Sequence, residues 1–334
     1  MNPPPLRSTA LRIKTRTGCQ QCKRRKIKCD ETKPICRRCQ ARGDHCSQPA
    51  RPEQWQTVVL RPVAQPSTHL SDDDLLQYFA AVMLKDMVVD VKTAAPLRQA
   101  LDPLIQRSKA LLYSVRSLTQ IHRNRFDPAS MHAPLQDRQR AVVALRQEVQ
   151  QELVDALQSR SALNRLLLAS LFLTILHAWC DAPHENGALL HLRGATATVD
   201  LLLAPQYRDT RTVVLQDFLV GTVAFLDMMY AFLIPASNPL PQSSRMLDML
   251  KQDRWRSGTY IHPVSGLATS LIMLVAQTGR YYRSVVDLRI RDPRREHELE
   301  RSLLAWQPLD ADDKTLYVRV ADAYRLGVHL LRIA

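Results

Sequence analysis

Residues 19–46 read CQQCKRRKIKCDETKPICRRCQARGDHC and hold six of the seven cysteines in this chain of 334 residues. The cysteine spacing is C-x2-C-x6-C-x6-C-x2-C-x6-C, so the second group of three cysteines repeats the spacing of the first. Each C-x2-C pair can place two thiolates on one metal ion. A segment of about thirty residues cannot bury a stable apolar core, so we expect bound metal to hold it together.

The number of cysteines indicates how the metal is bound. Two tetrahedral zinc ions require eight ligand positions, whereas the segment offers six thiolates and only His45 as a nearby histidine. Two thiolates must therefore bridge both ions, and the leading cysteines of the two groups, Cys19 and Cys36, are the bridge candidates. Neighbouring cations help to keep the sulfurs deprotonated, and these are Lys23, Arg24, Arg25, Lys26, Lys28, Arg37 and Arg38. A disulfide scaffold, a metallothionein and an iron–sulfur protein fit the pattern less well.

Charge is concentrated at the start of the chain. Residues 1–51 contain 14 Lys or Arg and 3 Asp or Glu, whereas the remaining residues contain 32 and 29. A basic head on a nearly neutral body indicates a polyanionic partner for the head, although a solvated basic arm would have the same composition. The basic run at 23–28 is also typical of a nuclear import signal.

The cysteine segment resembles the zinc binuclear-cluster transcription factors of fungi over residues 17–47. The shared features are the six-cysteine spacing, the basic run 23–28 and Pro34 in the loop between the two halves. The resemblance implies two zinc ions per chain, one of them held by Cys19, Cys22, Cys29 and Cys36. The other zinc ion is then held by Cys36, Cys39, Cys46 and Cys19.

The same resemblance implies a way of binding DNA. The family reads a G·C-rich triplet in the major groove with the third and fourth residues after the second cysteine, here Arg25 and Lys26. Lys or Arg donating to guanine is the commonest specific base contact, and we expect a short helix through 23–28 to present these side chains. Phosphate contacts set the register without reading sequence, and the candidates for them are Lys23, Arg24, Lys28, Arg37 and Arg38. For any single cation the alternative is a solvated surface charge.

Composition divides the sequence into four segments. Residues 1–16 form a basic arm that we expect to be disordered, and residues 17–47 form the zinc cluster domain. Residues 48–70 contain four prolines and no heptads, which predicts an extended linker and argues against a coiled coil after the cluster. Residues 71–334 show helical periodicity without a convincing strand pattern, so the predicted fold class is mainly α, with an all-α regulatory domain.

Several helices of this body are predicted from local signals. Ser71 followed by three aspartates predicts a helix N-terminus, and apolar spacing of three and four predicts a helix through 142–157. Further helices are predicted at about 161–180, 186–203, 211–234, 263–290, 294–305 and 313–333.

The body resembles the fungal-specific regulatory domain that follows many such clusters. The residues that carry this second resemblance are Trp179, 191–195 (HLRGA), 263–267 (PVSGL), Ala305-Trp306 and 323–326 (AYRL). In that family the helical region extends further, so a chain that ends at Ala334 is expected to be truncated, although an uncapped final helix would look the same.

Catalytic and membrane roles are the alternatives for the body. Cys180, Asp181, His184 and His191 lie close in sequence, but Pro183 interrupts them and no orienting group is evident, so we expect no enzyme and no cofactor beyond zinc. The apolar stretch Phe218–Ile234 includes Asp227, which predicts a buried helix rather than a membrane span. No secretory signal opens the chain.

These observations predict a nuclear transcription regulator of the RNA polymerase II type, with double-stranded DNA as its partner. The absence of heptads leaves the helical domain as the candidate surface for a homodimer, and the transcription machinery or coregulators are expected partners. The alternative is a metal-cluster scaffold, corepressor or small-molecule sensor whose helical body carries the main function.

Overall fold

The computed structural model describes residues 18–47, 70–156, 159–181, 186–205, 213–255, 261–308 and 316–330. The chain divides into two compact units, Met1–Thr68 and His69–Ala334. All regular structure in the described ranges is helical, apart from one isolated antiparallel bridge between His262 and Gly266. The predicted mainly α fold class is therefore confirmed. The basic arm at 1–16 and residues 48–69 of the predicted linker lie outside the described residues.

The first unit contains two short helices, α1 (Gln20–Arg24) and α2 (Arg37–Gln40). Each helix begins directly after the leading cysteine of one group, because Cys19 and Cys36 are the two N-cap residues. The second cysteine of each group then lies inside the helix and is buried. The repeated cysteine spacing thus corresponds to a repeated local structure.

The second unit is a bundle of helices. It contains α3 (Asp72–Tyr78), α4 (Leu84–Asp86), α5 (Ala94–Gln106), α6 (Lys109–Arg123), α7 (His132–Ala156), α8 (Arg160–Cys180), α9 (Gly187–Leu202), α10 (Val213–Ala231), α11 (Ser244–Leu250), α12 (Thr269–Leu288), α13 (Pro293–Ala305) and α14 (Leu316–Leu330). A π-helical turn, Phe79–Met83, joins α3 to α4.

The predicted helix start at Ser71 is confirmed by its hydrogen bonds. The hydroxyl of Ser71 accepts from the backbone N–H of Asp74 at 3.2 Å, and the carboxylate of Asp74 accepts from the backbone N–H of Ser71 at 3.1 Å. This reciprocal pair satisfies two backbone donors that the first helical turn would otherwise leave unpaired.

The core of the second unit is built around α8, whose side chains from Ala162 to Leu176 are almost all buried. Among the described residues, two helices are long and apolar enough to cross a membrane by length and composition, Arg160–Cys180 and Val214–Ala231, and 67% of each window is buried inside the unit. The carboxylate of Asp227 on α10 is buried and accepts hydrogen bonds from Arg280 on α12. A carboxylate buried in a core helix needs a cationic partner of this kind.

Two sequence predictions for the body need correction. Helices α5, α6 and α11 were not predicted; in α5 the signal was obscured by Pro103, because a proline normally predicts a helix boundary. The segment 263–268 is not part of the predicted helix 263–290, which begins only at Thr269. Instead, the backbone N–H of His262 donates to the carbonyl of Gly266 at 3.1 Å, and Gly266 donates back to His262 at 2.9 Å.

His262 explains why this segment is not helical. Its side chain is fully buried, and its Nδ1 accepts hydrogen bonds from the backbone N–H groups of Val264 and Ser265 at 3.2 and 3.1 Å. Its Nε2 then donates to the carbonyl of Phe218 on α10 at 3.1 Å. Burial lowers the pKa of His262 to about 4, so the imidazole is neutral at pH 7.

Candidate metal centre and nucleic-acid interface

Four cysteine thiols of the first unit, those of Cys19, Cys22, Cys36 and Cys39, lie close together. The Sγ atoms of Cys19 and Cys36 lie 3.8 Å apart, those of Cys19 and Cys39 lie 3.7 Å apart, and those of Cys22 and Cys36 lie 3.8 Å apart. A tetrahedral zinc ion with Zn–S bonds of about 2.3 Å separates its sulfur ligands by about 3.8 Å. The spacing of these sulfurs therefore fits a tetrahedral metal site.

The two remaining cysteines contact different members of this group. Cys29 contacts the thiols of Cys22 and Cys36. Cys46 contacts the thiol of Cys39, and its Sγ accepts a hydrogen bond from the backbone N–H of Cys36 at 3.4 Å. The ligand atoms of Cys19, Cys22, Cys36 and Cys39 all lie within 4.8 Å of one another, and Cys29 and Cys46 flank this group.

Burial sets the acidity of these thiols. It raises the pKa of Cys22 to about 12 and also raises the pKa of Cys39. For Cys19, burial is outweighed by hydrogen bonds from the backbone N–H of Cys22 and from neighbouring thiols, which lower its pKa to about 6. Closely packed thiols of this kind become thiolates together only when a cation compensates their charge, and zinc supplies that charge when it is bound.

The first backbone N–H of each helix donates to the residue that follows the third cysteine of the opposite group, to a carbonyl in one case and to a carboxylate in the other. The N–H of Gln20, at the start of α1, donates to the carbonyl of Ser47 at 2.9 Å. Seventeen positions on, the N–H of Arg37, at the start of α2, donates to the carboxylate of Asp30 at 3.1 Å. Position 18 has little room for a side chain, because a Cβ on Gly18 would lie 2.9 Å from Cβ of Cys29.

The ends of α1 and α2 are also equivalent. The N–H of Ile27 donates to the carbonyl of Cys22 at 3.0 Å, and the N–H of Asp44 donates to the carbonyl of Cys39 at 3.0 Å. The residue before each donor has a left-handed backbone, with φ of 55° at Lys26 and 65° at Gly43. Glycine adopts this conformation without steric cost, whereas lysine does not.

The predicted DNA-contacting residues are all exposed. They are Lys23, Arg24, Arg25, Lys26, Lys28, Arg37 and Arg38. The predicted helix through 23–28 is wrong in its extent, because α1 ends at Arg24 and the turn that follows places Lys26 in the left-handed conformation. The guanidinium of Arg25 forms an ion pair with Asp44, a residue that sequence reasoning had not singled out.

The second candidate cluster, in the helical body, consists of paired side chains. Nδ1 of His177 lies 2.5 Å from the carboxylate of Asp181, which also accepts from Arg138. Burial opposes ionisation of Asp181, but hydrogen bonds from these two partners outweigh it and lower its pKa. The ring of His191 lies 5.0 Å from that of His177, and burial lowers the pKa of His191 to about 4.

Of the other members of that cluster, the structure describes only Cys180. Cys180 is half-buried, and burial raises the pKa of its thiol, which disfavours the reactive thiolate. His184 lies outside the described residues. Sequence reasoning missed His177, although its spacing of four residues before Asp181 could have indicated the pair. It also missed Arg138, which comes from a different helix, α7.

Comparisons with known proteins match both units. Residues 74–333 match the family described as the fungal specific transcription factor domain. Residues 17–56 match the family described as the fungal Zn(2)-Cys(6) binuclear cluster domain. Together these matches cover more than half of the chain. No solved structure matches it.

Curated relatives match the chain over short segments. The Zn(2)-C6 fungal-type transcription factor afumD of Aspergillus fumigatus is 54% identical over 33 residues, which are 10% of this chain and 9% of that protein. Adhesion and hyphal regulator 1 of Candida albicans is 49% identical over 41 residues, which are 12% of this chain and 7% of that protein. Transcription activator AMTR1 of Alternaria alternata is 50% identical over 34 residues, which are 10% of this chain and 4% of that protein. The chain thus spans less than a tenth of the length of these relatives in each match.

Proposed function

Because the chain belongs to the fungal-specific transcription factors that carry a Zn(2)-Cys(6) binuclear cluster, we propose that it regulates transcription by binding double-stranded DNA at specific sequences. The first unit would read a G·C-rich triplet in the major groove of promoters served by RNA polymerase II. Its family consists of transcription factors, which is not an enzyme class. The observation that carries the proposal is the pairing of a compact six-cysteine unit with an exposed basic turn directly after α1.

The proposed metal content is two zinc ions, which six thiols can hold with four ligands each only if two thiols are shared. One zinc ion would be held by Cys19, Cys22, Cys29 and Cys36, and the second by Cys36, Cys39, Cys46 and Cys19. The metal ions would supply positive charge to the thiolates and crosslink a segment that has no apolar core of its own. The sulfur separations of 3.7 to 3.8 Å support this assignment.

The backbone at Lys26 supports its assignment as a base-reading residue. A lysine in the left-handed region costs about 1 kcal/mol or more, and such strain is concentrated at functional sites. The equivalent position in the other half is Gly43, which takes the same conformation without a side chain. Glycine would be less strained at this position, and donation of the Lys26 ammonium group to guanine O6 and N7 is the role we propose.

The remaining exposed cations would contact phosphates. They are Lys23, Arg24, Lys28, Arg37 and Arg38, and they lie on both halves of the unit. Phosphate contacts would fix the register of the unit on the duplex, while Arg25 and Lys26 read the bases.

The organisation of the whole chain completes the proposal. A basic arm at 1–16, a zinc cluster at 17–47 and a linker at 48–70 would precede a regulatory body at 71–334. The division of the chain between Thr68 and His69 supports a modular arrangement. The protein would act in the nucleus, with a homodimer formed through the helical body and with coregulators or the transcription machinery as further partners.

Selection from a pool of random duplexes tests the proposed function. The purified full-length chain, loaded with zinc, should enrich duplexes that share a G·C-rich triplet. A parallel selection with Cys36→Ser, which removes one of the two shared thiols, should enrich nothing. Enrichment of no sequence by the wild-type chain would contradict sequence-specific binding and favour a scaffold role for the cysteine unit.

A further inference from the structure

Asp44 contacts the base-reading turn from the other half of the cysteine unit. Its Oδ2 atom accepts a hydrogen bond from Nη1 of Arg25, which lies 19 positions earlier in the sequence. The two side chains are 32% and 25% exposed, so the pair lies at the surface of the unit. Since Arg25 directly follows α1 and Asp44 lies after α2, this ion pair joins the ends of the two helices.

The backbone fixes Asp44 in this position. Its N–H donates to the carbonyl of Cys39 at 3.0 Å, and Gly43 before it has the left-handed conformation that ends α2. Cys39 is one of the buried cysteines of the thiol group. The carboxylate is therefore anchored to the frame that the cysteines build.

The ion pair with Asp44 restricts the orientation of the Arg25 guanidinium group. A guanidinium group has five N–H donors in a fixed plane, and Asp44 uses one of them, on Nη1. The other donors keep a set orientation and can meet a pair of acceptors such as O6 and N7 of guanine. Orientation before binding reduces the rotamer freedom that the side chain loses in the complex. The carboxylate also repels phosphate, which opposes capture of Arg25 by the DNA backbone.

We propose that Asp44 is a positioning residue for DNA recognition, which orients Arg25 toward a base edge and keeps it away from phosphate. The partner group is the guanine edge in the major groove, with its two adjacent acceptors. This inference rests on the proposed function, and it adds a residue outside the basic run as a determinant of specificity.

The test measures binding of the full-length zinc-loaded chain to the selected duplex, to its single-base variants and to random duplex at several salt concentrations. The proteins are the wild type, Asp44→Ala, Asp44→Asn, Arg25→Ala and the double variant of Arg25→Ala with Asp44→Ala. Glu31→Gln is the matched control, because it also removes one negative charge from the same unit, in the loop between the two halves.

Asp44→Ala should weaken discrimination at one base pair by about 10-fold, within the range of one lost directional base contact. It should also strengthen binding to random duplex and steepen the salt dependence by about one phosphate contact. Asp44→Asn, which keeps an oxygen acceptor, should lie between wild type and Asp44→Ala. In the Arg25→Ala background, Asp44→Ala should change discrimination no further.

Other outcomes would overturn the inference. One is that Asp44→Ala changes both duplexes equally, as Glu31→Gln should, since Asp44 would then contribute only charge. Another is that its effect on discrimination persists without Arg25. Native mass spectrometry of each variant should show unchanged zinc content, and zinc loss in both Asp44 variants would make the residue structural. A wild-type chain without any preferred sequence would instead overturn the proposed function.

Discussion

The imidazole of His262 fills the space beside Gly221 on α10, so that a methyl group added at Gly221 would lie 2.4 Å from Nε2 of His262. The absence of a side chain at Gly221 is what allows His262 to reach the carbonyl of Phe218. This contact connects α10 to the non-helical segment before α12. It makes one glycine a structural requirement of the helical body.

Gly221→Ala should therefore destabilise the body by about 1–3 kcal/mol through overpacking. The matched control is Gly194→Ala on α9, because a Cβ there has no neighbour within 4 Å. That control should raise stability by about 0.5–1 kcal/mol, since alanine is the better helix former. Urea unfolding followed by circular dichroism measures both changes, and equal effects of the two substitutions would show that His262 can move aside.

The neutral His262 predicts a pH dependence of stability. Its pKa is about 4 in the folded protein, against an ordinary value of 6.5. Between pH 6.5 and pH 4 the unfolded chain therefore binds a proton that the folded chain does not, so stability falls as pH falls, by up to about 1.4 kcal/mol per pH unit. Above pH 6.5 this contribution is fully present.

Comparison with His262→Asn isolates the effect from other titrating groups. The difference in unfolding free energy between wild type and variant should shrink as the pH is lowered from 7 to 4.5. A difference that stays constant over this range would mean that folding does not shift the pKa of His262.

The proposal that Cys19 and Cys36 are shared by two zinc ions predicts how zinc is lost on substitution. Native mass spectrometry of the full chain should show two zinc ions, and Cys36→Ser should lose both, because each site would lack a ligand. Cys46→Ser should affect one site more than the other, and Cys180→Ser should keep both ions. Retention of one zinc ion by Cys36→Ser, together with loss of both by Cys46→Ser, would contradict the bridging assignment.

The division into two units predicts independent responses to a chelator. Removal of zinc should unfold residues 18–47, because metal replaces an apolar core there, and should leave the helical circular dichroism of the body nearly unchanged. Hydrogen exchange by mass spectrometry reports both units in the same sample. Loss of protection in α8 along with the cysteine unit would contradict the modular arrangement.

The fold class could be predicted from the sequence, whereas the local geometry could be predicted only in part. Cysteine spacing and helical periodicity predicted a small cysteine unit before an all-α body, and the capping box at Ser71 is confirmed. The extent of the helix after Cys22 was predicted wrongly, because nothing in a basic run indicates that Lys26 takes a left-handed backbone. The roles of the individual cysteines and cations remain predictions.

Other features depend on contacts between distant segments, which a single sequence does not reveal. His262 is buried because Gly221, 41 positions earlier in the sequence, leaves room for it. Asp44 pairs with Arg25 only because the two halves of the cysteine unit fold against each other. Helix α5 was hidden by Pro103, a residue that the interior of a helix tolerates only when packing compensates for the lost hydrogen bond.

The central claim is that the unit reads bases through Lys26, and the most direct test is the specificity ratio of Lys26→Gly. Glycine removes the side chain but suits the left-handed backbone, as Gly43 does in the other half. The variant should keep two zinc ions and lose about 10-fold or more in affinity for the selected duplex relative to random duplex. Lys28→Ala, the control for a phosphate contact, should weaken both duplexes by a similar factor. If Lys26→Gly also weakens both duplexes equally, Lys26 binds phosphate and the account of base reading is contradicted.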